Sequence, residues 1–278
     1  MVLIANQCFD EERALFEGRD LHVLDCTFAG EADGESALKE SRGVLAERCR
    51  FALRYPFWHN ARLTVSECEM TETCRAPLWY CEGVHIARSR INGTKALREC
   101  RDVHFDGCEI RSDEFGWFCS DVELRDTRAQ GAYFLLHGSR AELSDVSFCG
   151  KYSFQYLDGG TLTNCTLDTK DAFWHSKNVT VTDCVLRGEY IGWYSENLTL
   201  VRCKISGTQP FCYCKNLKLI DCELTEADLA FEKSEVEATL LTSVESIKNP
   251  RAGTIRVPRA DEIILDDPLA RGVILQEG

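Results

Sequence analysis

A chain of 278 residues with 45 acidic against 32 basic side chains carries a formal charge of −13, and its basic residues never form a run longer than two. That balance excludes the basic stripe a phosphate backbone requires, so nucleic acid is not an expected partner. No apolar run reaches the roughly 18 residues of a membrane span. The first eight residues have neither the basic region nor the apolar length of a secretory signal, so no membrane partner and a cytoplasmic location are expected.

In chain order, residues 1–22 read as an N-terminal cap, with Glu11 to Phe16 forming a short helical or irregular cover. Gly30 to Arg42 is the longest insertion and reads as a projecting loop. From Cys26 a pattern recurs. Its anchor runs Cys26, Cys49, Cys68, Ser89, Cys108, Thr127, Val146, Cys165, Cys184, Cys203, Cys222 and Leu241, with steps of 19 residues after spacings of 23, 19 and 21. A fixed period of this kind is the signature of a solenoid. Within a repeat the apolar residues alternate: Val179 and Val181, a corner at Thr182-Asp183, then Cys184 and Leu186. Period-two alternation with polar corners predicts short strands and leaves no room for a helical repeat. The expected fold is an all-β, single-stranded, right-handed parallel β-helix of about 11–12 coils. It is read as one domain over 1–278, with coils over 23–244 and a C-terminal cap and last coil over 245–278.

In such a fold each sequence column becomes a stack of side chains. One column reads Trp58, Trp79, Arg98, Trp117, Leu136, Gln155, Trp174, Trp193, Cys212, Phe231 and holds all five tryptophans. The next reads Tyr80, Glu99, Phe118, His137, Tyr156, His175, Tyr194, Tyr213, Glu232. Neighbours in a strand face opposite ways, so the tryptophans are expected mostly inward and the Tyr/His/Glu column outward. One signal pulls the other way: the residues before the column (Leu78, Leu97, Leu135, Phe154, Phe173, Phe211) are apolar too. Asn178, Asn197 and Asn216 form a further stack at a corner, where Asn tolerates a left-handed backbone.

Sixteen cysteines invite redox or metal readings. Eight fall in the anchor column, which marks them as small buried residues with a packing role. Cys81, Cys100 and Cys119, and Cys212-Tyr213-Cys214, lack metal-ligand spacing, so neither a metal nor a cofactor is expected. The Asn-x-Thr triplets at Asn92, Asn164, Asn178 and Asn197 are read as corner chemistry.

Arg54-Tyr-Pro-Phe-Trp-His59, Phe173-Trp-His175, Gly188-Glu-Tyr-Ile-Gly-Trp193, Gly207-Thr-Gln-Pro-Phe-Cys-Tyr-Cys214, Asp228-Leu-Ala-Phe-Glu-Lys-Ser234 and Ser246-Ile-Lys-Asn-Pro250 together resemble the bacterial domain of unknown function 3737. The resemblance spans nearly the whole chain. It implies a right-handed β-helix similar to the pectin-lyase superfamily and supplies no activity or catalytic residues.

Two functional expectations follow. The first is a binding or scaffold protein offering its Tyr/His/Glu ladder to a protein partner or to a second copy of itself. The alternative is a carbohydrate-active enzyme or glycan binder using the C-terminal half. Its candidate catalytic residues are Asp171, His175, Glu189 and Glu232. Trp174, Tyr190, Trp193, Tyr194, Gln209 and Tyr213 would bind an oligosaccharide, with Asp228 nearby. Asp171 and Glu189 would be about 5 Å apart if they faced alike, the spacing of a retaining glycosidase.

Overall fold

The computed structural model describes residues 1–30 and 35–276. It is an all-β parallel solenoid of about 14 turns set about 19 residues apart. The described residues contain no α-helix and one 3₁₀ turn, Glu72–Cys74. The chain packs as two compact units, residues 1–142 and 143–278.

The N-terminal end coils where a cap was expected, and the C-terminal end carries the coil expected of it. Val2–Ala5 pairs in parallel with Leu21–Leu24, and Cys8–Phe9 with Thr27–Phe28. Residues 1–22 are therefore a rung, and residues 11–17 follow its turns without forming a helix. At the other end Ala252–Val257 pairs with Val273–Gln276, and Val244–Lys248 with Ala260–Ile264. Of the expected projecting loop, residues 31–34 lie outside the described residues, and the remainder does not project. Ala37 and Leu38 are buried, and the Ser36 and Leu38 N–H groups bond Arg54 O and Pro56 O. Two apolar side chains and two paired amides tie that stretch into the wall.

Each regular turn has three sides. In the second unit, Lys177–Thr182 stacks on Asp158–Thr163, matching Leu162 with Val181, and Val181 in turn matches Leu200. After a corner, Val185–Arg187 stacks between Thr166–Lys170 and Lys204–Ser206. Alternation holds on both sides, so Val179, Val181 and Leu186 point inward and are buried. Corners need a left-handed residue, and Asn164 and Asp183 supply it at φ near +55°. Arg202 occupies the same position and chelates Asp183 one rung below through two bonds of 2.7 Å. The asparagine stack is present at the other corner. Asn216 Nδ2 bonds Asn197 Oδ1, and Asn197 Nδ2 bonds Asn178 Oδ1, both at 2.8 Å and with φ between 49° and 56°.

The cysteine column does more than pack. Cys184 Sγ lies 3.2 Å from the Cys165 N–H and 3.2 Å from Thr182 O, so the thiol accepts one hydrogen bond and donates another at a buried corner. Cys68 serves Cys49 in the same way at 3.2 Å. Ser89 and Thr127 replace the thiol with a hydroxyl, 3.0 and 3.4 Å from the Cys68 and Cys108 amides. Cys, Ser and Thr share a γ heteroatom, which explains their exchange in one column. Cys81, Cys100 and Cys119 repeat the arrangement at another corner, at 3.2 and 3.3 Å. All sixteen thiols are free, and only Cys8 and Cys149 are exposed.

Candidate binding face

The third side breaks the alternation rule. Its five residues read buried, buried, half-buried, exposed, buried, as in Ala172, Phe173, Trp174, His175, Ser176 and again in Ile191, Gly192, Trp193, Tyr194, Ser195. Phe173 and His175 both have positive φ, 61° and 54°. A sign change at every second residue turns two consecutive side chains outward. The strain, ordinarily about 1–2 kcal/mol at each non-glycine position, is held by bonds to both neighbouring rungs. Phe173 N–H bonds Ser153 O below and His175 N–H bonds Trp193 O above, each at 2.9 Å.

The tryptophans are therefore not inward, contrary to the expectation from alternation. The residue before the column faces the core instead: Phe57, Leu78 and Phe173 are buried there, Phe154 stacks on Phe173 at 5.0 Å, and glycines stand before Trp117 and Trp193. The indoles lie flat against each other on the outer surface: Trp174 on Trp193 at 5.5 Å and 3°, and Trp58 on Trp79 at 5.0 Å and 2°. Each indole N–H donates to a carbonyl of the following rung, Trp174 to Tyr190 O at 2.9 Å and Trp193 to Gln209 O at 2.7 Å. Trp58, Trp79 and Trp117 donate likewise to Ala76, Lys95 and Tyr133. These bonds fix the ring planes across the solenoid axis.

Beside the indoles runs the second aromatic column, outward as expected. In the second unit Tyr156, His175, Tyr194 and Tyr213 form one continuous stack with centroids 5.0, 4.8 and 4.8 Å apart and planes within 10°. The first unit holds His59 on Tyr80 and Phe118 on His137. Stacking covers the ring faces and leaves edges, phenol hydroxyls and the imidazole rim to solvent. Burial between two tyrosines holds the His175 imidazole below its ordinary pKa.

The carboxylates are dispersed along this side. Asp171 is buried, and burial raises its pKa. Glu189, one rung on, is exposed and pairs with Lys170 at 3.0 Å. Glu232 pairs with Lys248 at 3.2 Å. Asp228 accepts from the Thr208 hydroxyl and from the Gln209 amide. Each of Glu189, Glu232 and Asp228 thus has its own partner, and His175 is engaged by its two tyrosines. Tyr190 packs edge-on against Trp193 at 5.2 Å. A shallow depression of about 440 Å³ lies elsewhere, in the first unit, among Asp25, Arg48, Arg50, Glu67, Glu69 and Arg88. Its charges pair with one another, Arg48 with Asp25, Arg50 with Glu69 and Arg88 with Glu67.

Among the described residues no group of three His, Cys, Asp or Glu side chains is arranged to hold a metal ion. Burial pushes the Cys74 and Cys212 thiols up to about 12 and Cys214 to about 11, which keeps them protonated and poor as nucleophiles. Sequence reading passed over Arg98. Its guanidinium occupies the tryptophan column between Trp79 and Trp117, 5.2 and 5.6 Å from their ring centres. An arginine interrupting a tryptophan column was the available signal.

Similar solved structures include a surface adhesin of Streptococcus pneumoniae, PfbA, at 7% identity and TM-score 0.35, covering 92% of this chain and 80% of that one. The pentapeptide-repeat protein HetL of the cyanobacterium Nostoc is 15% identical with TM-score 0.26, over 74% and 86%. The catalytic domain of a GH87 α-1,3-glucanase in complex with nigerose is 9% identical with TM-score 0.25, over 100% and 64%. Likenesses this low transfer nothing about activity. No curated protein sequence matches the chain. A family model does match, over residues 2–273, and the chain accordingly belongs to the family described as protein of unknown function, DUF3737.

Proposed function

We propose that the chain is a non-enzymatic binding module that docks a protein partner along its outer aromatic side. The observation that carries this reading is the unbroken stack Tyr156–His175–Tyr194–Tyr213. A sugar-stacking platform needs open ring faces, and here neighbouring rings already cover them. What remains exposed is a row of aromatic edges and hydroxyls about 5 Å apart, rigid and costing little side-chain entropy to order. Tyrosine presented in this way is enriched at protein interfaces. The separate pairing of Glu189 and Glu232 supports binding over glycoside hydrolysis, which needs two carboxylates facing one bond.

The test compares the wild-type chain with Tyr194→Ser in an interaction screen run beside an oligosaccharide panel. A stoichiometric protein partner that the variant loses, with its thermal midpoint within a few degrees of wild type, supports the reading. An oligosaccharide that is cleaved, or that raises the midpoint of both proteins, contradicts it.

A further inference from the structure

The first turn of the solenoid leaves its core columns open. None of residues 1–20 is buried, although Val2 and Ile4 are in register with the buried Leu21 and Val23. Val2 is 61% exposed against 8% for Leu21. An interior ring stack ends at the same place: Phe51 on Phe28 at 4.8 Å, then Phe28 on a half-buried Phe9 at 4.9 Å, with no described ring beyond it. The backbone is bare there too. Val2 N–H donates to Asp20 O at 2.8 Å, and peptide groups alternate in direction along a parallel strand. Leu3 and Ala5 therefore turn theirs away from the stack.

A bare edge is a template for another strand, and native chains blunt such edges with charge or proline. The C-terminal end is blunted. Its strand Ala260–Ile264 carries Asp261 and Glu262. Asn249 Oδ1 accepts the Asp266 and Asp267 amides at 3.0 and 3.1 Å, and Gln276 Oε1 accepts the Ala260 amide at 2.8 Å. Residues 1–9, by contrast, hold no charged side chain and no proline. Solenoids require polar terminal repeats for solubility, and this first turn is apolar along two of its three sides.

We propose that the first turn is the contact of a twofold dimer, its occupant a second copy of this chain. Stable interfaces engage roughly 20–30 residues on each partner. One turn, the 19-residue step from Val2 to Leu21, supplies about that number. Charge selects the axis. Residues 10–20 carry five acids against two arginines, so a pairing that set this side against its own image would be repulsive. A twofold axis through Val2–Ala5 avoids it: that strand pairs antiparallel with its own copy, and the other two sides exchange. The acidic side then meets the uncharged Cys8–Phe9 side of the second copy. This dimer uses none of the Tyr156–Tyr213 stack and stands apart from the protein-docking reading.

Sedimentation velocity over a concentration series tests this, together with alkylation of the exposed thiols, Cys8 on the first turn and Cys149 outside it. Wild type is expected to dimerise reversibly, and Cys8 alkylation to slow relative to Cys149 as the dimer fills. Leu3→Pro removes an N–H that faces away from the stack, and Leu3→Lys buries an unpaired charge in the contact. Each weakens the dimer roughly tenfold or more with the circular dichroism of wild type, and Tyr194→Ser leaves it unaltered. Should Leu3→Pro fail to fold, Leu3→Lys decides alone, since Leu3 is 60% exposed. A chain that stays monomeric at every concentration overturns the proposal and leaves the protein-docking reading standing. So does a dimer that survives Leu3→Lys with the Cys8 to Cys149 ratio unchanged. A dimer lost in Tyr194→Ser overturns it in favour of the aromatic side.

Discussion

Replacing Cys184 separates two roles that a buried cysteine can have. If it only fills space, Val and Ala should be tolerated better than Ser, whose hydroxyl would enter an apolar core. The corner geometry gives the opposite order. The Cys165 amide donates to Cys184 Sγ at 3.2 Å, and both residues are about 1% exposed. Ala and Val leave that amide without an acceptor, a loss of about 1–3 kcal/mol. Ser keeps a γ acceptor, as Ser89 does for Cys68 at 3.0 Å. With a urea dependence near 3 kcal/mol/M, the midpoint falls by roughly 0.3–1 M in Cys184→Ala and Cys184→Val and by less in Cys184→Ser. A solenoid can unfold in sections, so amide exchange at Cys165 is the sharper local readout, with protection dropping in Ala and Val but not in Ser. Val or Ala at least as stable as Ser, with Cys165 still protected, would refute the hydrogen-bonding role.

Further outcomes are expected. Gly207 has φ +135°, and an added Cβ would lie 2.0 Å from the Gly188 carbonyl oxygen, so Gly207→Ala should cost more than about 3 kcal/mol in chemical denaturation; under about 1 kcal/mol would contradict the rung spacing. Trp174→Phe keeps the ring stack but removes the donor to Tyr190 O, and should cost about 1 kcal/mol with neighbouring strands unchanged by NMR. The contribution of three buried thiols to stability should be level below pH 9 and be lost as pH rises through about 11–12. The folded state holds the Cys74, Cys212 and Cys214 protons that the unfolded chain, at an ordinary thiol pKa of 9.0, releases; urea midpoints across that range check it. In an NMR titration His104 should lose its proton above, and His175 below, the ordinary 6.5. Burial opposes the His104 shift, but hydrogen bonds to Asp102 and Glu123 outweigh it, while His175 has burial alone.

The solenoid was legible because one period recurs through most of the chain, and every side that keeps strand alternation followed from it. Val179, Val181 and Leu186 sit where alternation puts them. Misreadings arose where the backbone departs from β geometry. Alternation sets Trp174 opposite His175, yet positive φ at Phe173 and His175 turns both outward. The apolar residues before the column, Leu78 and Phe173 among them, carried that information, and it needed a left-handed backbone to make sense. The N-terminal rung was missed because its strands are short and its anchor position is irregular: Val2–Ala5 pairs with Leu21–Leu24 without a cysteine of its own at the anchor. For the candidate site, the sequence brought the right columns together but not the directions of their side chains. Asp171 and Glu189 are one rung apart, one buried and one paired with a lysine, and no column alignment distinguishes those states.

Hydroxyl-radical footprinting of the tyrosines, in purified protein and in a complex recovered from cells, tests the central claim most directly. The account predicts that Tyr156, Tyr194 and Tyr213 are labelled in the free chain, where the first two are 45% and 44% exposed, and are protected together in the complex. A ladder equally labelled in both states, with protection confined to the ion-paired arginines around Asp25 and Glu67, would contradict it.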